Sequence, residues 1–456
     1  MGKQSLLRVV SVFTLLFPLS GLGLGAQTLP ARPPNIVFIL ADDLGYGDLG
    51  CYGQPRIATP HIDRLAAEGM RFTQAYAGST VCAPSRASLM TGKHTGHARI
   101  RGNHRPDLPL LSEEVTVAEV LKQAGYHTGV FGKWGLGNAG DSGVPNEQGF
   151  DEFLGYLAHV HAHNYSTDHL WKNREQFWLG KNFGRRMEEY PPDLFTEHSV
   201  QFVEQNKSQP FFIYLTYTIP HANNELGNAT GNGMEVPSDS PYSDKDWPQQ
   251  EKNFAAMITR MDDGVGKLME ALKHAGIDEN TLVFFTSDNG PHLEGGHKPE
   301  FFDSSGALRG TKRDLYEGGI RVPMIARWPA RIQPGQVSDH VWAFWDFLPT
   351  SAAAAGVAPP AGIDGISVLP VLTGDAPVSH EYLYWEFHER VFKQAIRLGD
   401  WKGVRLGKDL PLELYNLKSD LSETTNIAPS HPEVVAQIEQ ILKTCRTESK
   451  EFPVQP

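Results

Sequence analysis

Apolar positions alternate between two patterns along the first 375 residues. Asn35 to Ala41, Thr128 to Gly132, Phe211 to Thr218, Leu282 to Thr286 and Val322 to Arg327 are short, nearly unbroken apolar runs, as expected of strands buried on both faces. Between them, apolar residues recur every three or four positions and predict helices. These are Pro60 to Glu68, Val115 to Gln123 ended by Gly125, and Asp246 to Ala275, where Phe254, Met257, Ile258, Met261, Val265, Leu268, Met269 and Leu272 share one face. Strands alternating with helices predict an α/β fold with a large, mostly parallel or mixed sheet and helices on both faces. The pattern changes after residue 375. Tyr382 to Phe387, Gln394 to Arg397, Trp401 to Arg405 and Leu412 to Leu417 read as short strands, Gly399-Asp400 as a hairpin turn, and Glu433 to Cys445 as a last helix. A small C-terminal antiparallel sheet with one helix is therefore expected over 376–456, after a large domain over 27–375.

The first 26 residues follow neither pattern. Lys3 and Arg8 precede an apolar run, Val9 to Leu19, and the small-residue stretch Gly21 to Ala26. Positive start, apolar middle and small-residue end read as a secretory signal peptide, so the mature chain is expected outside the cytoplasm, periplasmic or secreted. No later run is long enough to cross a membrane. Of the 456 residues, 41 are Lys or Arg and 53 are Asp or Glu, a net charge of −12. That balance argues against a nucleic-acid binder, which needs a basic face. A hydrophobic fraction of 40% excludes a largely disordered chain. Three cysteines leave at least one thiol unpaired, with Cys51 and Cys445 a conceivable bridge and Cys82 apart from them.

In open α/β sheets, sites form just beyond the carboxyl ends of the strands. Here those ends carry Asp42-Asp43, Lys133, His221 after Ile219-Pro220, and Asp288-Asn289. Asp42, Asp43, Asp288 and Asn289 offer only hard oxygens, which suits Ca²⁺ or Mg²⁺. Lys133 and Lys312 would supply positive charge for an anionic substrate. Cys82-Ala83-Pro84-Ser85-Arg86 has Pro84 where an early helix position tolerates it, which puts Cys82 at a helix N-terminus. Physics alone leaves two readings, a thiol of depressed pKa or a structural cysteine.

Cys82-Ala83-Pro84-Ser85-Arg86 followed by Leu89-Met90-Thr91-Gly92 resembles the signature of the type I sulfatases, relatives of alkaline phosphatase. The resemblance runs from about Asn35 to Pro432. It includes Ala41 to Asp48, Thr59 to Asp63, Gly132-Lys133-Trp134, Thr286 to Gly290, Gly310-Thr311-Lys312, Tyr316 to Gly319, Gly399 to Lys402 and Glu413 to Leu417. It implies hydrolysis of sulfate esters by a residue 82 oxidised to formylglycine, through a covalent sulfo-enzyme intermediate. A formylglycine-generating enzyme would be the maturation partner. It further implies that Asp42, Asp43, Asp288, Asn289 and residue 82 hold one Ca²⁺. Arg86 and Lys133 would steady the reacting group, Lys312 would bind sulfate, and His221 would protonate the departing oxygen.

One motif departs from the family. Its usual Gly-Lys-Trp-His-Leu-Gly is here Gly132-Lys133-Trp134-Gly135-Leu136-Gly137, so the histidine is missing. His161 or His163, in His159-Val160-His161-Ala162-His163-Asn164-Tyr165, is the candidate substitute. The Gly form with this histidine segment is similar to a bacterial subgroup acting on sulfated galactose-type sugars. A sulfated carbohydrate or aryl sulfate is the expected substrate, and Trp171, Trp178, His169 and Arg174, in a loop-rich segment, are candidates to contact a sugar. The alternatives are a phosphodiester or phosphonate hydrolase of the same superfamily, and a non-catalytic glycan-binding descendant.

Overall fold

Eight consecutive buried residues form the first strand, β1 (Asn35–Asp42), in the computed structural model of the chain. Its side chains alternate between two apolar layers. Val37, Ile39 and Ala41 join one core cluster; Ile36, Phe38 and Leu40 join the other. A strand covered on both faces has no polar side, which is why it reads as one continuous apolar run. The structure describes residues 1–2, 32–104, 107–376 and 378–454. The expected signal peptide, apart from its first two residues, lies outside them.

The remaining strands are β2 (Met70–Phe72), β3 (Ala75–Tyr76), β4 (His127–Lys133), β5 (Glu152–Tyr156), β6 (His169–Lys172), β7 (Glu175–Trp178), β8 (Phe211–Pro220), β9 (Thr281–Ser287), β10 (Met324–Arg327), β11 (Gln336–Ser338), β12 (Trp342–Ala343), β13 (Leu383–Phe387), β14 (Lys393–Leu398), β15 (Trp401–Arg405) and β16 (Glu413–Asn416). Ten of them form one sheet in the order β11-β2-β10-β9-β1-β8-β4-β5-β6-β7. The middle, β9-β1-β8-β4-β5, is wholly parallel; β10, β6 and β7 run antiparallel to their neighbours. The sheet is thus mixed. The Val322 to Arg327 run supplies one of its antiparallel strands. The expected loop-rich segment around Trp171 and Trp178 is instead the β6–β7 hairpin at the sheet edge, with Arg174 in its turn.

Helices cover both faces. One layer holds α4 (Pro191–Asn206) and the long α6 (Gln249–His274), whose residues from Phe254 to Leu272 bury the predicted stripe. The other holds α2 (Cys82–Thr91), α3 (Val117–Gln123) and the helix Phe347–Ala355. Thr116 and Glu119 close a capping box at the start of α3, which explains why the helix begins two residues later than the apolar pattern. Cys51, Cys82 and Cys445 are all free, so the conceivable Cys51–Cys445 bridge is not formed. Among the described residues, no helix is long and apolar enough to cross a membrane.

β13 to β16 form the small antiparallel sheet in sequence order. One of its faces packs on the helix Pro432–Leu442 through Ile396, Leu414 and Ile438. The other packs on the large domain, where Trp385 Nε1 donates to the Ala77 carbonyl (2.9 Å). Beneath that contact, Lys402 Nζ donates to Glu317 Oε1 (2.8 Å) and lies 3.4 Å from Glu423 Oε1, all three fully buried. Replacing Lys402 by Ala should leave two buried carboxylates facing each other. The expected loss is about 3–5 kcal/mol of stability, measured by urea unfolding. A loss below about 1 kcal/mol, the range of an exposed pair, would contradict this reading.

Candidate active site

β9, β1, β8 and β4 are adjacent and parallel, so their carboxyl ends share one edge. They deliver Asp42 and Asp43, then Lys133, then His221, then Asp288 and Asn289. α2 brings Cys82 as its first residue, and all ten of its residues are buried.

Arg86 lies at the centre. Its Nε and Nη2 donate to Asp288 Oδ2 at 3.0 and 2.8 Å, and Nη2 lies 3.5 Å from Asp42 Oδ2. Its Nη1 donates to the Lys133 carbonyl (2.7 Å) and to Thr216 Oγ1. Lys133 Nζ donates to Asp42 Oδ2 at 2.6 Å. On the other side, Lys312 Nζ donates to Asp43 Oδ2 (2.7 Å), His221 Nε2 (3.0 Å) and Glu294 Oε2 (3.2 Å). Asn289 Nδ2 donates to Asp43 Oδ1 (2.7 Å), and the Asp43 backbone N–H donates to Asp288 Oδ1 (3.1 Å). His221 Nδ1 donates to its neighbour's carbonyl, Ala222 O (2.6 Å), which leaves Nε2 as the acceptor facing Lys312.

Burial governs the electrostatics. It opposes charge on Asp42, but Lys133 and Arg86 outweigh it and hold that carboxyl well below the usual range. Burial, with Asp42 adjacent, raises Asp288 to about 7 even against Arg86. Burial, then Lys312, keeps the His221 ring neutral, far below its ordinary value. Burial also pushes the Cys82 thiol up to about 12, with Asp42 outdoing part of the pull of Lys133. The thiol of depressed pKa that the helix start allowed is therefore not what the structure builds. Two first-turn donors are already used: Ala83 N–H bonds Asn103 Oδ1 (3.1 Å) and Ser85 N–H bonds the Val81 carbonyl (3.3 Å).

Two oxygens here, Asp42 Oδ1 and Asn289 Oδ1, are buried with no hydrogen-bond partner among the described residues. Buried polar atoms without partners are rare and costly. Ligand atoms of Asp42, Asp43, Cys82 and His221 also lie within 4.8 Å of one another. Asp42 Oδ1 and Asn289 Oδ1 are hard donors left unsatisfied by the protein, and they fit a divalent cation that prefers oxygen.

The histidines separate. His163 stacks on His221, with ring centroids 4.8 Å apart and planes at 16°. Its Nδ1 lies 3.2 Å from Glu225 Oε2, and burial followed by the nearby His221 lowers it to about 3. His161 turns the other way, with Nε2 2.8 Å from Thr167 Oγ1 and its ring against Tyr156 and His169. The sequence reading missed His159. A Cβ at Gly135 would stand 3.9 Å from the His159 Cβ. Asp107 holds His159 through its backbone N–H (2.8 Å) and pairs with Nδ1, and the His159 and His163 ring centroids are 6.3 Å apart. Glu294 was also missed. It had no signal of its own beyond lying six residues after Asp288.

Acids, two lysines, an arginine and a neutral histidine at the carboxyl ends of parallel strands are the groups that a hydrolase of anionic esters uses. The comparisons narrow this class. The family model described as Sulfatase matches residues 34–357, and the one described as N-sulphoglucosamine sulphohydrolase, C-terminal, matches residues 310–448. The chain is 34% identical over 414 residues to an N-acetylgalactosamine-6-sulfatase of Canis lupus familiaris, covering 85% of this chain and 74% of that one. It is 30% identical over 503 residues to an N-acetylgalactosamine-6-O-sulfatase of Bacteroides thetaiotaomicron, covering 91% and 94%. The solved structure of Ps i-CgsB in complex with k-i-k-neocarrahexaose superposes with a TM-score of 0.78 at 28% identity, covering 91% of this chain and 93% of that one. The chain belongs to the sulfatase family and is a sulfuric ester hydrolase.

The unsatisfied oxygens generate a prediction. Adding Ca²⁺ to the purified, chelator-treated protein should raise its melting temperature. Binding only the native state at a hundredfold excess over Kd is worth about 2.7 kcal/mol. Asp42→Asn should lose most of that shift. An equal Ca²⁺ shift in wild type and variant would place the ion elsewhere.

Proposed function

We propose that the chain is an exported, Ca²⁺-dependent sulfatase of sulfated carbohydrate, with residue 82 in its formylglycine form as the nucleophile. The observation that carries this reading is the position of Cys82 among Asp42, Asp43 and His221, their ligand atoms within 4.8 Å of one another. Asp42, Asp43, Asp288 and Asn289 would hold the ion together with residue 82. When bound, Ca²⁺ would polarise a sulfate oxygen and favour the ionised nucleophile. The carbohydrate substrate is supported by the names of the relatives, and a galactose-type sugar by the N-acetylgalactosamine in them. Export is supported by the charged, apolar and small-residue start of the chain. Oxidation of Cys82 would require a formylglycine-generating enzyme.

The chain's own residues divide the remaining chemistry. Lys312 and Lys133 supply positive charge where an anionic ester must lie, and both are held by acids so that they need not reorganise. Arg86 keeps Asp288 and the Lys133 backbone in register. Lys312 Nζ faces His221 Nε2 at 3.0 Å, so this pair carries one proton shared between ammonium and ring. Because His221 is neutral at rest, that proton starts on Lys312 and reaches the departing alkoxide directly or through the ring. His163 is the better placed of the two candidate substitutes for the histidine absent at Gly135, since it stacks on His221.

Mass spectrometry of the peptide spanning Cys82, from a host competent for the oxidation, should find it lighter than the cysteine form by about 18 Da, the difference between CH₂SH and CHO. Turnover of an aryl sulfate should track the modified fraction. Active protein carrying only unmodified cysteine would end the formylglycine reading. His163→Ala should slow aryl sulfate turnover by about 10²-fold, the usual scale for a general acid or base, with His161→Ala nearly neutral. If both variants keep wild-type rates, neither histidine replaces the missing one.

A further inference from the structure

Lys312 reaches the active site from a tight turn. The Thr311 carbonyl accepts the Asp314 N–H (2.9 Å), and the Thr311 N–H donates to Asp314 Oδ2 (3.1 Å). Lys312 and Arg313 form the corner. Arg313 has a φ of 77°, a left-handed backbone that this turn position ordinarily gives to glycine. A non-glycine residue there is strained, and such strain persists only where the surroundings enforce it. Part of the enforcement comes from the C-terminal sheet. Arg313 Nε donates to Oε2 of Glu389, in the turn between β13 and β14 (2.8 Å), and Lys393 Nζ, on β14, donates to the Arg313 carbonyl (3.3 Å).

The Arg313 side chain passes this hold inward. Its Nη1 donates to Glu294 Oε1 (2.7 Å), and Glu294 Oε2 accepts from Lys312 Nζ (3.2 Å). An ammonium has three N–H donors. Those of Lys312 have three acceptors, Asp43 Oδ2 (2.7 Å), His221 Nε2 (3.0 Å) and Glu294 Oε2. Glu294 is thus the third point that fixes the ammonium, and its own carboxylate is held at both oxygens.

We infer that the C-terminal sheet completes the active site through this chain: Glu389 holds Arg313, Arg313 holds Glu294, and Glu294 keeps Lys312 directed at His221. Glu294 and Arg313 are positioning residues. The inference rests on the proposed role of Lys312 and His221 in protonating the departing oxygen. When the S–O bond breaks, its electron pair stays on that oxygen, which takes a proton from the pair and leaves as the alcohol. Stability does not account for the chain. The Arg313 side chain is 39% exposed, where an ion pair contributes little, and its backbone strain opposes folding. Position does account for it, because a misplacement of about 1 Å can cost about 10²-fold in rate.

The test uses the full, matured protein and two aryl sulfates of similar shape. 4-Nitrophenolate leaves with little help, whereas phenolate gains more from a proton. Glu294→Gln and Arg313→Gly should each lower the ratio of phenyl sulfate to 4-nitrophenyl sulfate kcat/KM by about tenfold, through kcat rather than KM. Glycine suits the backbone at 313, so that variant should melt no lower than wild type and its loss is assignable to the side chain. Glu389→Gln should shift the ratio in the same direction by less. Reductive methylation, read by mass spectrometry, gives a second measure: Lys312 should be protected in wild type and lose that protection in Glu294→Gln and Arg313→Gly. An unchanged ratio, or an equal loss on both esters with Lys312 still protected, would overturn the inference. A shift in Glu294→Gln but not in Arg313→Gly would overturn the link to the C-terminal sheet. If wild type cleaves neither ester, the sulfatase reading fails, and Lys312 protection alone decides: lost in both variants it supports the chain, retained it overturns it.

Discussion

Arg86 is the interaction on which the site depends. Asp42, Asp43 and Asp288 are each at most 1% exposed, and acids this close repel strongly. Two unit charges 4 Å apart interact by about 4 kcal/mol at an effective dielectric near 20. Arg86, Lys133 and Lys312 answer them one for one, and only Arg86 binds through a planar fork that fixes direction as well as charge. Protein charges near the three acids therefore roughly cancel. A divalent cation would tip the same volume positive, which is the sign an anionic ester requires. The imbalance that remains in the protein alone is visible at Asp288, raised to about 7 by burial and by Asp42.

The sheet makes this arrangement rigid. Strand ends packed on both faces cannot shift to relieve repulsion, so the counter-charges must come to them. Lys312 does so on a loop that approaches the Asp288-Asn289 turn closely. A Cβ at Gly290 would stand 1.8 Å from the Gly318 carbonyl oxygen, so only glycine allows that contact. A Cβ at Gly318 would stand 2.2 Å from the Gly310 carbonyl oxygen and one at Gly319 2.0 Å from that of Asp314, so this pair too is explained by backbone approach rather than by chemistry of its own. The C-terminal sheet acts similarly from the other side, docked through Trp385 and the buried Lys402–Glu317 pair.

The central strands and the long helix were legible in the sequence because burial on two faces, or on one helical stripe, writes itself into the order of residues. The residues at the strand ends followed from the parallel arrangement. Short strands at or next to the sheet's edges, such as β2, β6 and β7, left no comparable trace, since three or four residues carry too little pattern. The alternating histidines were legible as a cluster but not as individuals. His161 and His163 sit on one 3₁₀ turn, and that turn sends one to Thr167 and the other to His221. His159 and Glu294 enter the site only through tertiary folding; Asp107, which positions His159, lies 52 residues away in the chain. Of the two readings left open for the thiol, the structure favours the one without a depressed pKa, for a physical reason. A helix N-terminus stabilises a thiolate modestly, whereas complete burial beside Asp42 opposes it more strongly.

That last point constrains maturation. Residue 82 is 3% exposed, and the helix it begins is buried along its entire length. A modifying enzyme must surround its target side chain, and it could not reach this one without unpacking α2 from the sheet. Oxidation of Cys82 would therefore have to precede packing of α2, while the chain is still extended. A chain that folds first would retain a thiol raised to about 12, protonated at neutral pH and thus a poor nucleophile. Burial does most to silence the unmodified cysteine, and Asp42 and Asp288, which would also hold the proposed metal, add to it. Under the proposed conversion of residue 82, its burial would set the order of events, modification first and packing of α2 second.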